Sequence, residues 1–224
     1  VHYIEEIYRG MTSALARYGT VIVGGDTAKA PERIFLDVVV VGQALGNHFL
    51  RRKGAQVGDL LAVTGWPGMS GAGLHALQHG MQAPELIRAH LQPPMWLPEG
   101  QWLAARSAIH ALIDVSDGLT QDAGHLAQAA HLGVNIVPEK LPVAEALARY
   151  CEEQGLVARE LVLTGGEDYE LLFAMSPRHY EQTLEEFHHE FRTLVTIIGE
   201  FTDAWTGVRV AGQEIDLTGF DHFR

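Results

Sequence analysis

The sequence predicts an α+β sandwich, on three observations. Short apolar runs of strand length are mixed with helix-period stretches without the strict βα repeat of a doubly wound sheet. The apolar share, 47% of 224 residues with 20% charged, is enough for a substantial core. Glycines and carboxylates cluster where apolar runs stop. In order along the chain, Ile4, Ile7, Tyr8, Met11, Leu15 and Tyr18 fall at three- and four-residue spacings, so 4–18 reads as a one-faced helix that Gly19 ends. Thr20–Val23 reads as a short strand, and Ile34–Val41, apolar almost throughout, as one covered on both sides. Residues 42–58 read as a basic loop. Strands follow at Leu60–Thr64, Ala111–Asp114, Gly133–Val137, Leu171–Met175 and Leu194–Ile198, with a hairpin over Val208–Leu217. Helical spacing marks 74–78, 84–91, 101–110, 119–130, 143–153 and 178–189, and Pro93, Pro94 and Pro98 mark an exposed connection.

Charge and cysteine content narrow the function classes. A formal net charge of -12 opposes a nucleic acid or anionic membrane held by general electrostatics, so a phosphate ligand would need bridging cations. The single cysteine, Cys151, allows no intrachain disulfide and no multi-cysteine zinc site, and a reducing cytoplasm is the expected compartment. Nucleophilic chemistry there is not expected, because Glu152 and Glu153 would raise the thiol pKa. No apolar run approaches the roughly 20 residues of a membrane helix. The adjacent His188 and His189 lack the spacing of a zinc site.

Four acidic stretches carry the candidate chemistry: Gly24-Gly25-Asp26-Thr27, Ile113-Asp114-Val115-Ser116-Asp117-Gly118-Leu119, Gly165-Gly166-Glu167-Asp168-Tyr169-Glu170, and Gly219-Phe220-Asp221-His222-Phe223. Glycine beside a carboxylate lets backbone and acid approach one ligand together, which suits Mg²⁺ and the phosphates it carries. Singly, most of these sequences also describe a turn or a helix cap. The Asp114–Asp117 pair says more: an unpaired buried carboxylate costs several kcal/mol, so the two acids require cations or donors. Gly65–Gly73 fits either a phosphate cradle, without the Walker A ending, or close helix packing. Arg51-Arg52-Lys53 fits either a phosphate clamp or a solvated basic turn.

Taken in order, with Leu50-Arg-Arg-Lys-Gly-Ala-Gln-Val-Gly-Asp-Leu-Leu-Ala-Val-Thr-Gly65 between the first two, the four stretches resemble thiamine-monophosphate kinase of the aminoimidazole ribonucleotide synthetase-like ATP-binding superfamily. The resemblance implies the tail of a ferredoxin-like α/β ATP/Mg-binding domain at 1–46 and a C-terminal α+β sandwich domain at 47–224. It implies ATP and Mg²⁺ as cofactors and direct in-line transfer of the γ-phosphoryl group of ATP onto thiamine phosphate, giving thiamine diphosphate. Alternatives are another superfamily enzyme, such as a purine-pathway synthetase, or a non-catalytic nucleotide- or partner-binding remnant. By the resemblance, Gly25, Asp26, Arg52 and Ser116 contact nucleotide, Asp26, Asp114 and Asp117 bind Mg²⁺ as parts of one shared site, and Glu167 and Phe220 contact thiamine phosphate. Two departures stand out: Met69 where the family usually has Asp, and Thr27-Ala-Lys-Ala-Pro31 in place of Thr-Arg-Gly-Pro. Family chains begin with a Gly-Asp-Asp segment outside these 224 residues, so impaired turnover by this chain alone is an expectation. The family also implies a homodimer.

Overall fold

The structure is a computed structural model and describes residues 2–44, 46 and 49–214. It divides into two units, Val1–Gln43 and Ala44–Arg224.

In the first unit, α1 spans His2–Ala16. Of the expected stripe, Ile7, Met11 and Leu15 are half-buried at four-residue intervals, while Ile4 and Tyr8 are exposed. Gly19, at φ 63°, stops it, and the Thr20 N–H returns to the Leu15 carbonyl at 3.2 Å. The two strands expected at 20–23 and 34–41 do not form: this stretch is extended or bent chain with exposed side chains, Val39 at 81% and Val41 at 89%. A strand needs a neighbour to take its N–H and C=O groups, and among the described residues none is paired with this segment.

The second unit is built on a seven-stranded sheet: β1 (Leu60–Thr64), β2 (Ile109–Asp114), β3 (Gly133–Ile136), β4 (Leu171–Met175), β5 (Val195–Thr202), β6 (Gly207–Val210) and β7 (Gln213–Glu214). Their order is β2-β4-β1-β5-β3-β6-β7, antiparallel throughout except for the parallel β3–β6 pair. Among the described residues seven α-helices pack around it: α2 (Met69–Gln78), α3 (Pro84–Leu91), α4 (Leu97–Ala104), α5 (Leu119–Ala130), α6 (Glu145–Gln154), α7 (Ala158–Thr164) and α8 (Tyr180–Phe191).

The period of two along β4 sorts its side chains between two cores. Leu172 and Ala174 join Leu61, Val63, Ala111 and Ile113 against α2, α5, α6 and α7, through residues such as Ala76, Leu126, Leu147 and Val162. Leu171, Phe173 and Met175 join Ala62 and Ile109 against Leu103 of α4 and Phe187 of α8. Each fully buried phenylalanine contributes about 3–5 kcal/mol by the cost of its truncation.

Two helix starts differ from the spacing-based expectation by more than two residues. The fourth helix runs over 97–104 rather than 101–110, because Pro98 serves in its first turn, where a missing N–H costs nothing, and His110 already belongs to β2. The second begins at Met69 inside the glycine-rich stretch. Gly73 is required there: a Cβ would collide with the Leu86 carbonyl of α3.

The pairings Asp114↔Leu171 and Thr64↔Val195 bring the C-terminal ends of β1 and β2 and the N-terminal ends of β4 and β5 to one edge of the sheet. The acidic motifs of the second unit meet at that edge.

Candidate active site

The strand β2 stops at Asp114, yet its pairing continues one step further. The Val115 N–H donates to the Glu170 carbonyl (2.8 Å), the Tyr169 N–H to the Val115 carbonyl (2.8 Å), and the Glu167 N–H to the Ser116 carbonyl (2.9 Å). The D-V-S-D and G-G-E-D-Y-E stretches are therefore bonded side by side. Glycines allow the closeness: a Cβ on Gly166 would lie 2.5 Å from the Ser116 carbonyl oxygen, and one on Gly118, at φ 120°, would lie 2.9 Å from that of Thr164.

Within 167–170 the residues alternate in role. Asp168 and Glu170 turn inward and are buried. Asp168 accepts from the N–H groups of Gly68 (2.6 Å) and Ser70 (2.9 Å) at the start of α2. Glu170 accepts from Thr64 Oγ1 (2.6 Å) and the Trp66 N–H (3.2 Å). Of the two readings open for Gly65–Gly73, this favours close packing over a phosphate cradle, since the protein's own carboxylate takes two of the N–H groups at the start of α2. Burial outweighs those two bonds and pushes Asp168 up to about 7, with the Glu170 charge adding to the rise. Burial likewise raises Glu170.

Glu167 and Tyr169, both at positive φ (63° and 54°), turn outward. The Tyr169 hydroxyl donates to Glu167 Oε2 at 2.9 Å. Partial burial, that hydrogen bond and the charges of Glu167, Asp114 and Asp117 push its phenol up to about 12. The two outward residues in the left-handed region represent stored backbone strain of about 1–3 kcal/mol each, held by the inward anchors Asp168 between them and Glu170 after them.

Asp114, Ser116 and Asp117 are half-buried at this edge. The loop they form is fixed from below by Asp122, in the first turn of α5. Its Oδ2 accepts from the Ser116 N–H (3.0 Å) and the Asp117 N–H (3.1 Å), while its buried Oδ1 has no partner. Burial pushes Asp122 up to about 6 against those two bonds. Asp117 Oδ2 lies 3.4 Å from Gln121 Nε2 and 3.9 Å from His125 Nε2. Among the described residues, no Lys or Arg forms an ion pair with Asp114, Asp117 or Asp122. An orphaned buried oxygen beside two unneutralised carboxylates is a donor set that fits a divalent cation.

The other expected residues lie elsewhere or outside the described part. Arg52 is exposed, on a segment bonded to the β2 edge through the Leu112 N–H and the Arg51 carbonyl (3.1 Å). Gly25 and Asp26 belong to the first unit. There the Asp26 carboxylate accepts from the Thr27 N–H at 2.8 Å, as an aspartate in a turn does, and a Cβ on Gly25 would be 3.3 Å from the Tyr8 hydroxyl. Phe220, like the end of the hairpin expected over 208–217, lies outside the described residues. The Cys151 thiol is buried and raised by that burial, not by the neighbouring glutamates. Asp122, His125 and Tyr169 escaped the sequence reading. For Asp122 a signal existed: a carboxylate in a helix's first turn can reach back to N–H groups ahead of the helix.

The sheet and its acidic edge define a chain of the AIR synthase-related class. The family model for the AIR synthase related protein C-terminal domain matches residues 56–211, and the one for the N-terminal domain matches residues 1–44. The chain is 35% identical to thiamine-monophosphate kinase of Aquifex aeolicus (strain VF5) over 228 residues, covering 100% of this chain and 70% of that protein. It is 35% identical to thiamine-monophosphate kinase of Escherichia coli (strain K12) over 235 residues, covering 99% and 69%. The solved structure of AaThiL complexed with AMPPCP and TMP superposes with a TM-score of 0.69 at 34% identity, covering 79% of this chain and 55% of that chain. The chain belongs to the thiamine-monophosphate kinase family, and spans about 70% of the length of the first of these relatives.

Proposed function

We propose that this chain is part of an ATP- and Mg²⁺-dependent kinase that converts thiamine phosphate to thiamine diphosphate. The observation that carries the reading is the 2.9 Å bond from the Glu167 N–H to the Ser116 carbonyl. It joins the residue assigned to thiamine phosphate to the loop assigned to Mg²⁺ and nucleotide, so acceptor and donor would meet on one edge. The relative solved with AMPPCP and TMP supports the same pair of ligands.

In this reading Asp114 and Asp117 of the second unit are Mg²⁺ ligands and Arg52 and Ser116 contact the nucleotide, while within the first unit Asp26 has a Mg²⁺-ligand role and Gly25 and Asp26 nucleotide-contact roles. When bound, Mg²⁺ supplies charge neutralisation for the phosphates. Transfer breaks the bond from the γ-phosphorus to the β–γ bridging oxygen, releases ADP, and forms a bond to a terminal phosphate oxygen of thiamine phosphate. That oxygen is already anionic, so no protein base is required, and the residues contribute positioning and electrostatics. Glu167, oriented by the Tyr169 hydroxyl, presents a carboxylate to the cationic thiazolium, and Phe220 an aromatic face, the latter worth about 0.5–2 kcal/mol. The same reading includes a domain boundary after residue 46, a second copy of the chain as partner and a cytoplasmic location. Among the described residues no helix is long and apolar enough to cross a membrane.

Thermal-shift titration tests the reading. Thiamine phosphate, or AMPPCP with Mg²⁺, at 100 times its Kd should stabilise the chain by about 2.7 kcal/mol, and an aminoimidazole nucleotide precursor should not. A protein that melts unchanged with both ligands refutes it.

A further inference from the structure

We propose that Asp117, Asp122 and His125 form a binding site, inside the second unit alone, for a divalent transition-metal cation of the Mn²⁺-to-Zn²⁺ class. One ligand atom from each of the three lies within 4.8 Å of the other two. The chain places them together by local geometry. Asp122 and His125 are three residues apart on α5 and share a face, and Asp117 sits just ahead of the helix where the loop turns at Gly118. His125 Nε2 is already 3.9 Å from Asp117 Oδ2. Bonds of about 2.0–2.2 Å put donors about 3.0–3.5 Å apart, so these atoms close in by about 0.5–1.5 Å. Both His125 and Asp117, with side chains 36% and 33% exposed, are able to move that far.

An independent observation points to a ligand here. Asp122 is 1% exposed, and of its two oxygens Oδ2 takes both N–H donors while Oδ1 is buried with no partner. A carboxylate oxygen removed from water without a donor is costly, and a shared cation supplies what no neighbouring side chain does. The partial positive field at the start of α5 works against a cation, and the two bonds to Oδ2 offset it. Two carboxylates and a neutral imidazole match a divalent charge. The imidazole sets the class of metal, since nitrogen donors favour Mn²⁺, Co²⁺ or Zn²⁺ over Mg²⁺.

This inference rests on the reading that Asp117 is a cation ligand and adds two ligands to it. Its test needs neither nucleotide nor turnover. The chain is titrated with Mn²⁺, free Mn²⁺ is followed by electron paramagnetic resonance, and the bound ion is examined by pulsed methods for coupling to ¹⁴N. Expected are one Mn²⁺ bound per chain, resistance to a tenfold excess of Mg²⁺, and a ¹⁴N coupling. His125→Ala should abolish the coupling and weaken Mn²⁺ by at least about tenfold with an unchanged circular dichroism spectrum. His189→Ala, which removes an exposed imidazole of α8, should retain both Mn²⁺ and the coupling. Bound Mn²⁺ without ¹⁴N coupling, or with an affinity that His125→Ala leaves alone, overturns the three-residue site and leaves the Mg²⁺–nucleotide reading standing. Failure of Mn²⁺ to bind without nucleotide also overturns it, and again does not touch that reading, in which the cation arrives with the phosphates.

Discussion

Replacing Asp168 should uncouple the acidic loop from α2, and both the size and the pH dependence of the effect follow from its contacts. The carboxylate is 4% exposed and accepts the Gly68 and Ser70 N–H groups. Asp168→Ala leaves both donors buried and unpaired, at about 1–3 kcal/mol each, so a loss of about 2–6 kcal/mol is expected. Asp168→Asn keeps one acceptor and turns an NH₂ toward the other donor, for a loss of about 1–3 kcal/mol. The native group titrates near 7 and the unfolded one near 3.8. Between those values the folded chain holds the proton that the unfolded chain releases. Wild-type stability therefore falls as pH rises from about 4 to about 7 through this group, and is flat above it. Urea unfolding at pH 5, 6, 7 and 8 checks this. The gap between wild type and Asp168→Asn should narrow as pH rises, because only wild type places a charge there. Glu170, raised by the same burial, leaves some slope in both proteins. If Asp168→Asn unfolds within about 0.5 kcal/mol of wild type at every pH, the carboxylate does not anchor α2 and the account of the loop is wrong.

Asp114→Asn and Asp117→Asn should each remove Mg²⁺-dependent AMPPCP binding, measured by calorimetry, while leaving the melting temperature of the unliganded chain within a few degrees; unchanged affinity in both would remove these residues from the nucleotide site. Gly118→Ala should destabilise the chain by about 1–3 kcal/mol in urea, since φ 120° and a Cβ 2.9 Å from the Thr164 carbonyl oxygen leave no relaxed alternative, and a wild-type midpoint would show that the two loops are not in contact.

The sequence was informative where one period dominated. The five isolated strands of the second unit and the helix over 119–130 follow from runs whose burial is set by the sheet itself. Pairing order was not legible, because apolar strands such as Leu60–Thr64 and Leu171–Met175 carry no mark of which neighbour they choose. Residues 20–41 failed for a related reason: Val38–Val41 have strand chemistry, but a strand is a property of two segments. The carboxylate motifs were legible as a group, and the division of labour among them was not. Nothing in Glu167-Asp-Tyr-Glu170 announces that alternate residues anchor the loop while the others face outward. That depends on β4 starting at Leu171 and on α2 offering two N–H groups across the edge.

The alternation in that loop also bears on how such a site can change over generations. Asp168 and Glu170 are committed to backbone N–H groups that any sequence with this turn would present, and Glu170 also to the Thr64 hydroxyl. Glu167 and Tyr169 face outward, and in the proposed reading Glu167 meets the ligand. Exchange at the two outward positions can therefore redirect ligand preference without touching what holds the backbone in place, provided the newcomers tolerate a left-handed φ. Asparagine and glycine meet that condition most readily, and β-branched residues do not. The edge of the sheet thus behaves as a socket whose fittings are replaceable one at a time, within a short list of admissible side chains.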